Sequence, residues 1–147
     1  MAKIFFSMAG EGRGHATRVA AVVEQMRHRH KIVLFASAHA FDLLATKYAG
    51  VKEVELRRIP GLQFAYRAGK LDYFRSLWGS VPYICRMGRH ITHLQREIEQ
   101  AEPDLIITDF EPIMPRAAQR CGVPFVSFDH QHFLTTYDLT TLPPRLR

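Results

Sequence analysis

Cysteine is scarce in this chain: Cys85 and Cys121 are the only two, and they fall in no C-x-x-C spacing. A disulfide framework and a thiolate metal site therefore lose their basis, and reduced packing residues are expected. No apolar run approaches the ~18 residues that a membrane-spanning helix requires. The opening MAKIFFSMAGEGRGH lacks the apolar core and cleavage site of a signal peptide, so a cytoplasmic location is expected. There is no Gly-Lys-Ser/Thr after the first glycine-rich turn, which excludes nucleotide hydrolysis of the P-loop kind. Nor does LFASAH, residues 34–39, hold the Asp or Glu that would bind the ribose of a dinucleotide. Internal repeats and low-complexity segments are absent too, which argues against solenoids and disordered arrays.

What remains is an ordinary globular composition. At 147 residues, 47% hydrophobic and 23% charged, the chain can bury one sizeable core and reads as one domain. Its formal charge of +6 is uneven, because Arg57, Arg58, Arg67, Lys70, Arg75, Arg86, Arg89 and Arg96 crowd the middle third. That asymmetry implies a phosphate-bearing ligand, an anionic lipid surface or nucleic acid, unless these arginines are simply a solvated surface.

Periodicity sets the order of elements. Ile4, Phe5 and Phe6 form a short apolar strand, and Val19, Val22, Val23 and Met26 follow at helical spacing. KIVLFAS, residues 31–37, is a second strand; Phe41, Leu44, Ala45 and Tyr48 mark a helix closed by Gly50. Residues 51–59 read as a third strand ended by Pro60-Gly61. Residues 63–88 scatter aromatics among arginines and glycines, and are expected to form loop and short helix. Ile91, Leu94, Ile98 and Ala101 then mark a helix stopped by Pro103. DLIITDF, residues 104–110, has the continuous apolar centre of a buried parallel strand, the fourth. A short helix with Pro115 near its start and Gly122 at its end leads to a fifth strand at residues 124–128. Alternating strands and helices predict an α/β doubly wound, Rossmann-like parallel sheet in three layers, with ligands at the carboxyl ends of the strands.

That rule selects the candidate site. GEGRGHATR, residues 10–18, joins the first strand to the first helix, the geometry that presents backbone N–H groups and a positive helix end to an anion. Gly10, Gly12 and Gly14 are the expected substrate-binding glycines, flanked by Arg13 and Arg18, whose planar guanidinium forks suit phosphate. The dinucleotide fingerprint wants a third glycine where His15 stands. His15 is instead a candidate base, since imidazole titrates near neutrality. Asp109, at the end of the fourth strand, can hold its tautomer if the first and fourth strands are neighbours. Glu111 is a second candidate for that role, and the sequence does not rank the two; Asp109 could equally cap the next helix. His130 and Gln131, beyond the fifth strand, complete the substrate-binding set. The His130-x-His132 pair has no third ligand at matching spacing, so no metal site is expected.

The G-x-G-H turn, the strand ending in Asp109-Phe110 and the Pro-rich turn after it carry a resemblance. The chain resembles the N-terminal domain of GT-B fold glycosyltransferases. It is most similar to the family containing the lipid-linked N-acetylglucosaminyl transferase of peptidoglycan synthesis, and also to the UDP-glycosyltransferases of small molecules. The resemblance implies inverting transfer from a nucleotide-diphosphate sugar to an acceptor hydroxyl, with His15 as base and Asp109 as its orienting acid. It implies no cofactor, because turn amides and the first helix's dipole would offset pyrophosphate charge. It also implies that residues 1–140 form the acceptor-binding domain and that 141–147 begin a linker toward a C-terminal nucleotide-sugar domain. The chain ends before any donor motif, so by itself it is expected to be inactive. The charged Glu11-Gly12-Arg13 departs from the small residues relatives place there.

Phe74, Leu77, Trp78 and Tyr83, interleaved with Arg67, Lys70, Arg75 and Arg86, would suit a lipid-linked acceptor or a peripheral membrane contact. Alternatively, these aromatics are core and the arginines its rim. Two other functions stay open: a nucleotide-sugar epimerase of the same fold, and a non-catalytic module binding an anionic ligand or nucleic acid. No nucleic-acid motif frames the arginines, so no nucleic-acid partner is expected.

Overall fold

In the computed structural model, the described residues are 1–128 except 12, 63 and 68. Five parallel strands form one sheet: β1 (Lys3–Met8), β2 (Lys31–Ala36), β3 (Val54–Arg58), β6 (Leu105–Asp109) and β7 (Phe125–Ser127). Their order is β3-β2-β1-β6-β7. Four helices flank them: α1 (Arg13–Met26), α2 (Ala38–Lys47), α3 (Tyr73–Ala101) and α4 (Met114–Cys121). This is the expected doubly wound sheet, with β6 and β7 as the fourth and fifth strands of the main sheet.

Strand alternation divides the core into two layers. Ile4, Phe6 and Met8 of β1 pack with Ala16, Val19, Val23 and Leu44 beneath α1 and α2. Phe5, the intervening residue, joins Phe35, Ile106, Leu94, Ile98 and Met114 beneath α3 and α4. A side-chain period of two makes this division compulsory. Both faces are covered, which is why the strands read as unbroken apolar runs instead of alternating ones.

Residues 63–88 differ from the expectation. Ala65–Arg67 and Lys70–Asp72 pair antiparallel as the hairpin β4-β5, and Tyr73 already begins α3. The helix runs unbroken through Gly79, Pro82 and Gly88. Those residues disfavour a helix locally. What holds it is the stripe of Tyr83, Met87, Ile91, Leu94 and Ile98, spaced by four or three and packed on the sheet. Asp72 starts the helix by accepting from the Arg75 amide at 3.0 Å, and Ser76 donates to the Asp72 carbonyl at 2.6 Å. The cysteines also depart from expectation in part: Cys121 is half-buried, whereas Cys85 lies exposed on α3.

Candidate active site

The sheet order makes β1 and β6 neighbours, and the chain leaves their carboxyl ends toward opposite faces. Such a switch point leaves a crevice above the sheet. Met8 pairs in register with Asp109, and the Ala9 amide donates to the Asp109 carbonyl at 2.9 Å. The acid therefore sits at the mouth of the glycine-rich turn. Alternation places Asp109 on the same face as Ile107, the face covered by α1. His15 and Arg18, one turn apart on that helix, meet it there.

The contacts are close. His15 Nδ1 lies 3.0 Å from Asp109 Oδ1, with the carboxylate fully buried and the imidazole side chain 18% exposed. Arg18 holds the same carboxylate with two nitrogens: its Nη2 is paired with Oδ1, and its Nε lies 3.3 Å from Oδ2. The Arg18 guanidinium also stacks over Phe128, 5.6 Å from the ring centre. Arg18 Nη2 and His15 Nδ1 approach to 3.3 Å. Because the Asp109 carboxylate only accepts, its 3.0 Å contact is a hydrogen bond when Nδ1 carries the hydrogen; Arg18 Nη2, itself a donor, is then a neighbour of Nδ1 and not its partner. In the neutral form of the ring, this tautomer leaves Nε2 as the nitrogen able to accept a proton.

Glu111, the other carboxylate considered from sequence, is placed differently. Its Oε1 and Oε2 accept from the amides of Ile113 and Met114, each at 2.8 Å, so it closes the first turn of α4. Burial pushes its pKa up, and those two amides pull the other way. Between the two carboxylates stands Phe110, whose φ of 57° is left-handed. The sharp turn at Phe110 sends successive acids to different places. Its ring lies parallel to His15, 9° between planes and 6.0 Å between centres, and is half exposed. Sequence inspection passed over Phe110; its one signal was an aromatic directly after the strand-ending acid.

His15 lines a cleft of ≈ 300 Å³ together with Gly10, Ser37, Phe64, Tyr66 and Phe110. Burial raises the pKa of Tyr83 on its wall, and the neighbouring Glu111 charge adds to that, so the phenol stays protonated. Gly10 is here for closeness: a Cβ on it would fall 2.4 Å from the Ser37 backbone oxygen. Gly14 opens the exposed first turn of α1, with nothing within 4 Å of a would-be Cβ, and Arg13 is exposed beside it. Arg18, expected near phosphate, is turned onto Asp109 instead. Gly12, His130 and Gln131 lie outside the described residues. Among the described residues no three His, Cys, Asp or Glu side chains converge as metal ligands.

The family model described as "Glycosyl transferase family 1" matches residues 2–145. The chain belongs to glycosyl transferase family 1. No curated protein is matched at the sequence level. Solved structures agree on the fold: MurG of Acinetobacter baumannii superposes with a TM-score of 0.59 at 16% identity, over 88% of this chain and 35% of that one. UGT2 of Phytolacca americana, complexed with UDP-2fluoro-glucose and pterostilbene, gives 0.59 at 15% identity, over 97% of this chain and 35% of that one. CalG4, the calicheamicin glycosyltransferase, gives 0.54 at 16%, over 88% and 32%. The chain thus spans about a third of the length of these transferases. Of the classes considered from sequence, the glycosyltransferase is the one the family supports, and the domain carries its Rossmann-like GT-B fold.

Proposed function

We propose that this domain supplies the acceptor site and general base of an inverting glycosyl transfer. The observation that carries the reading is the 3.0 Å contact of His15 Nδ1 with Asp109, at the wall of an open cleft. With Nδ1 engaged, Nε2 accepts the proton of an acceptor hydroxyl. That oxygen attacks the anomeric carbon of the nucleotide-diphosphate sugar, the bond to the leaving phosphate oxygen breaks, and the nucleoside diphosphate departs from the opposite face. Asp109 offsets the imidazolium charge that forms, and Arg18 keeps Asp109 in place. Phe110 walls one side of the ring. The nucleotide sugar is held by a C-terminal domain of the same protein, so the isolated chain binds acceptor but does not turn over.

The acceptor is lipid-linked in this reading, and the domain docks on an anionic bilayer. Support comes from α3 and the hairpin: Phe74, Leu77 and Trp78 are 70%, 62% and 62% exposed, with Arg67, Lys70 and Arg75 exposed around them. Tyr83 is the member of the sequence-derived group that belongs to the core.

The test is His15→Ala in the two-domain enzyme. Removing a positioned base lowers turnover by ~10²- to 10⁴-fold. A folded variant that transfers sugar at the parental rate removes His15 from the mechanism.

A further inference from the structure

The His15 cleft does not end at its own walls. Gly61 and Tyr83 line it and also line an adjoining hollow with Pro60, Arg86 and His90. Pro60 and His90 in turn line a groove of ≈ 420 Å³ between the end of β3 and α3, bordered by Arg57, Arg89 and His93. Shared lining residues set these three spaces side by side along α3, and together they are called the furrow.

The far part of the furrow is cationic. Arg86, Arg89, His93 and Arg96 recur at spacings of three, four and three, which sets them along one stripe of α3. Arg57 and Arg58, from β3, are each matched by acids: Arg57 by Glu55 and Glu97, Arg58 by Asp42. Among the described residues, Arg86, Arg89 and Arg96 have no carboxylate within ion-pair distance. His90 is half-buried at the junction and stacks on Tyr83, with 5.9 Å between ring centres. Burial lowers its pKa, and Arg86, His93 and Arg89 lower it further. The one carboxylate among the described residues lining the groove, Glu97, is paired with Arg57, which leaves the arginines of the α3 stripe without an ion-pair partner among the described residues.

We propose that this furrow is an anion subsite: it holds a phosphate or diphosphate group of the acceptor on Arg86, Arg89 and His93 while the acceptor's hydroxyl reaches His15. The link to an acceptor rests on the transferase reading; the anion site itself does not. Guanidinium pairs with phosphate through parallel N–H···O bonds, and an anion here would give Arg86 and Arg89 the partner that Glu97 gives Arg57. The phosphoryl group can belong to a soluble phosphate ester or to a lipid-linked diphosphate.

Inorganic pyrophosphate is the probe for the site, titrated calorimetrically into the chain, and farnesyl diphosphate is the probe for its source. Arg86→Gln/Arg89→Gln is expected to weaken pyrophosphate binding by about tenfold or more. Arg67→Gln/Lys70→Gln, an equal charge loss outside the furrow, and His15→Ala should leave it unchanged. Farnesyl diphosphate binding more tightly than pyrophosphate assigns the lipid-linked source; equal affinity assigns the soluble one. Absence of saturable pyrophosphate binding, or equal weakening in both double variants, overturns the subsite. The outcome is separable from that of the base: loss of turnover in His15→Ala with pyrophosphate binding intact in every variant rejects the furrow alone. Parental turnover in His15→Ala, with binding lost only in Arg86→Gln/Arg89→Gln, rejects the base alone.

Discussion

Phe110 lies parallel to His15, ring over ring, and does so from a left-handed backbone conformation. A bulky L residue at that φ carries about 1 kcal/mol of strain, relieved in glycine. Denaturant unfolding should therefore find Phe110→Gly more stable than Phe110→Ala by about 1 kcal/mol. Both variants remove the ring that walls the imidazole. In the proposed two-domain enzyme both should lower kcat while leaving KM for the nucleotide sugar unchanged. An unaltered kcat would reduce Phe110 to a strained surface residue.

The two acids near the site separate by their effects. Asp109→Asn leaves Arg18 without its counter-charge, and His15 Nδ1 without its carboxylate acceptor, in a site that is only partly open to water. It should cost about 2 kcal/mol, below the value for a fully buried pair because Arg18 is partly exposed. It should also reduce turnover severely, the imidazole having lost the group that fixes its tautomer. Glu111→Gln loses part of a helix cap, about 1 kcal/mol by the usual magnitude for such caps, and should leave turnover near parental. A reversal of these two activity results would make Glu111 the functional acid.

Glu111 also gives a signed pH dependence. Its folded-state pKa is raised above 4.5, so between that value and the raised one the native state binds more protons than the unfolded chain. Its contribution to stability is present below the unfolded pKa and is lost as pH rises through the folded one. The difference in unfolding free energy between the parent and Glu111→Gln should thus shift against the parent across that window. A difference flat in pH would contradict it.

Two glycines of one loop should respond oppositely to alanine. Gly10→Ala places a methyl group 2.4 Å from the Ser37 carbonyl oxygen, a backbone atom that cannot swing aside. A loss of about 1–3 kcal/mol is expected, as for overpacking elsewhere. Truncating Ser37 should not rescue it. Gly14→Ala meets nothing within 4 Å in a helical turn and should gain about 0.5–1 kcal/mol. Thermal melts of the single variants decide both.

The exposed aromatics of α3 can be tested by sedimentation with anionic vesicles. Binding at low salt that Trp78→Ser and Phe74→Ser together reduce, and that high salt weakens, is the expected result. Failure to sediment at either salt concentration removes the bilayer from the reading.

Much of the fold was legible in the residues themselves. Unbroken apolar runs such as KIVLFA and LIITD can be buried on both faces only in a sheet covered by helices, so the alternation of elements dictated the layered architecture. The helix from Tyr73 was hidden because Gly79, Pro82 and Gly88 are breakers by local preference, and packing of its apolar stripe on the sheet outweighs them. Likewise, His15 and Asp109 could be paired from residue type, position and resemblance only on the condition that the first and fourth strands are neighbours, with Glu111 left as a rival. Only strand order set β6 beside β1, and only the alternation of side chains across that strand, followed by the left-handed turn at Phe110, sent Asp109 to the imidazole and Glu111 to the amides of α4. Local chemistry is written along the chain; which carboxylate meets which base depends on contacts between residues some ninety positions apart, and those exist only once the sheet has closed.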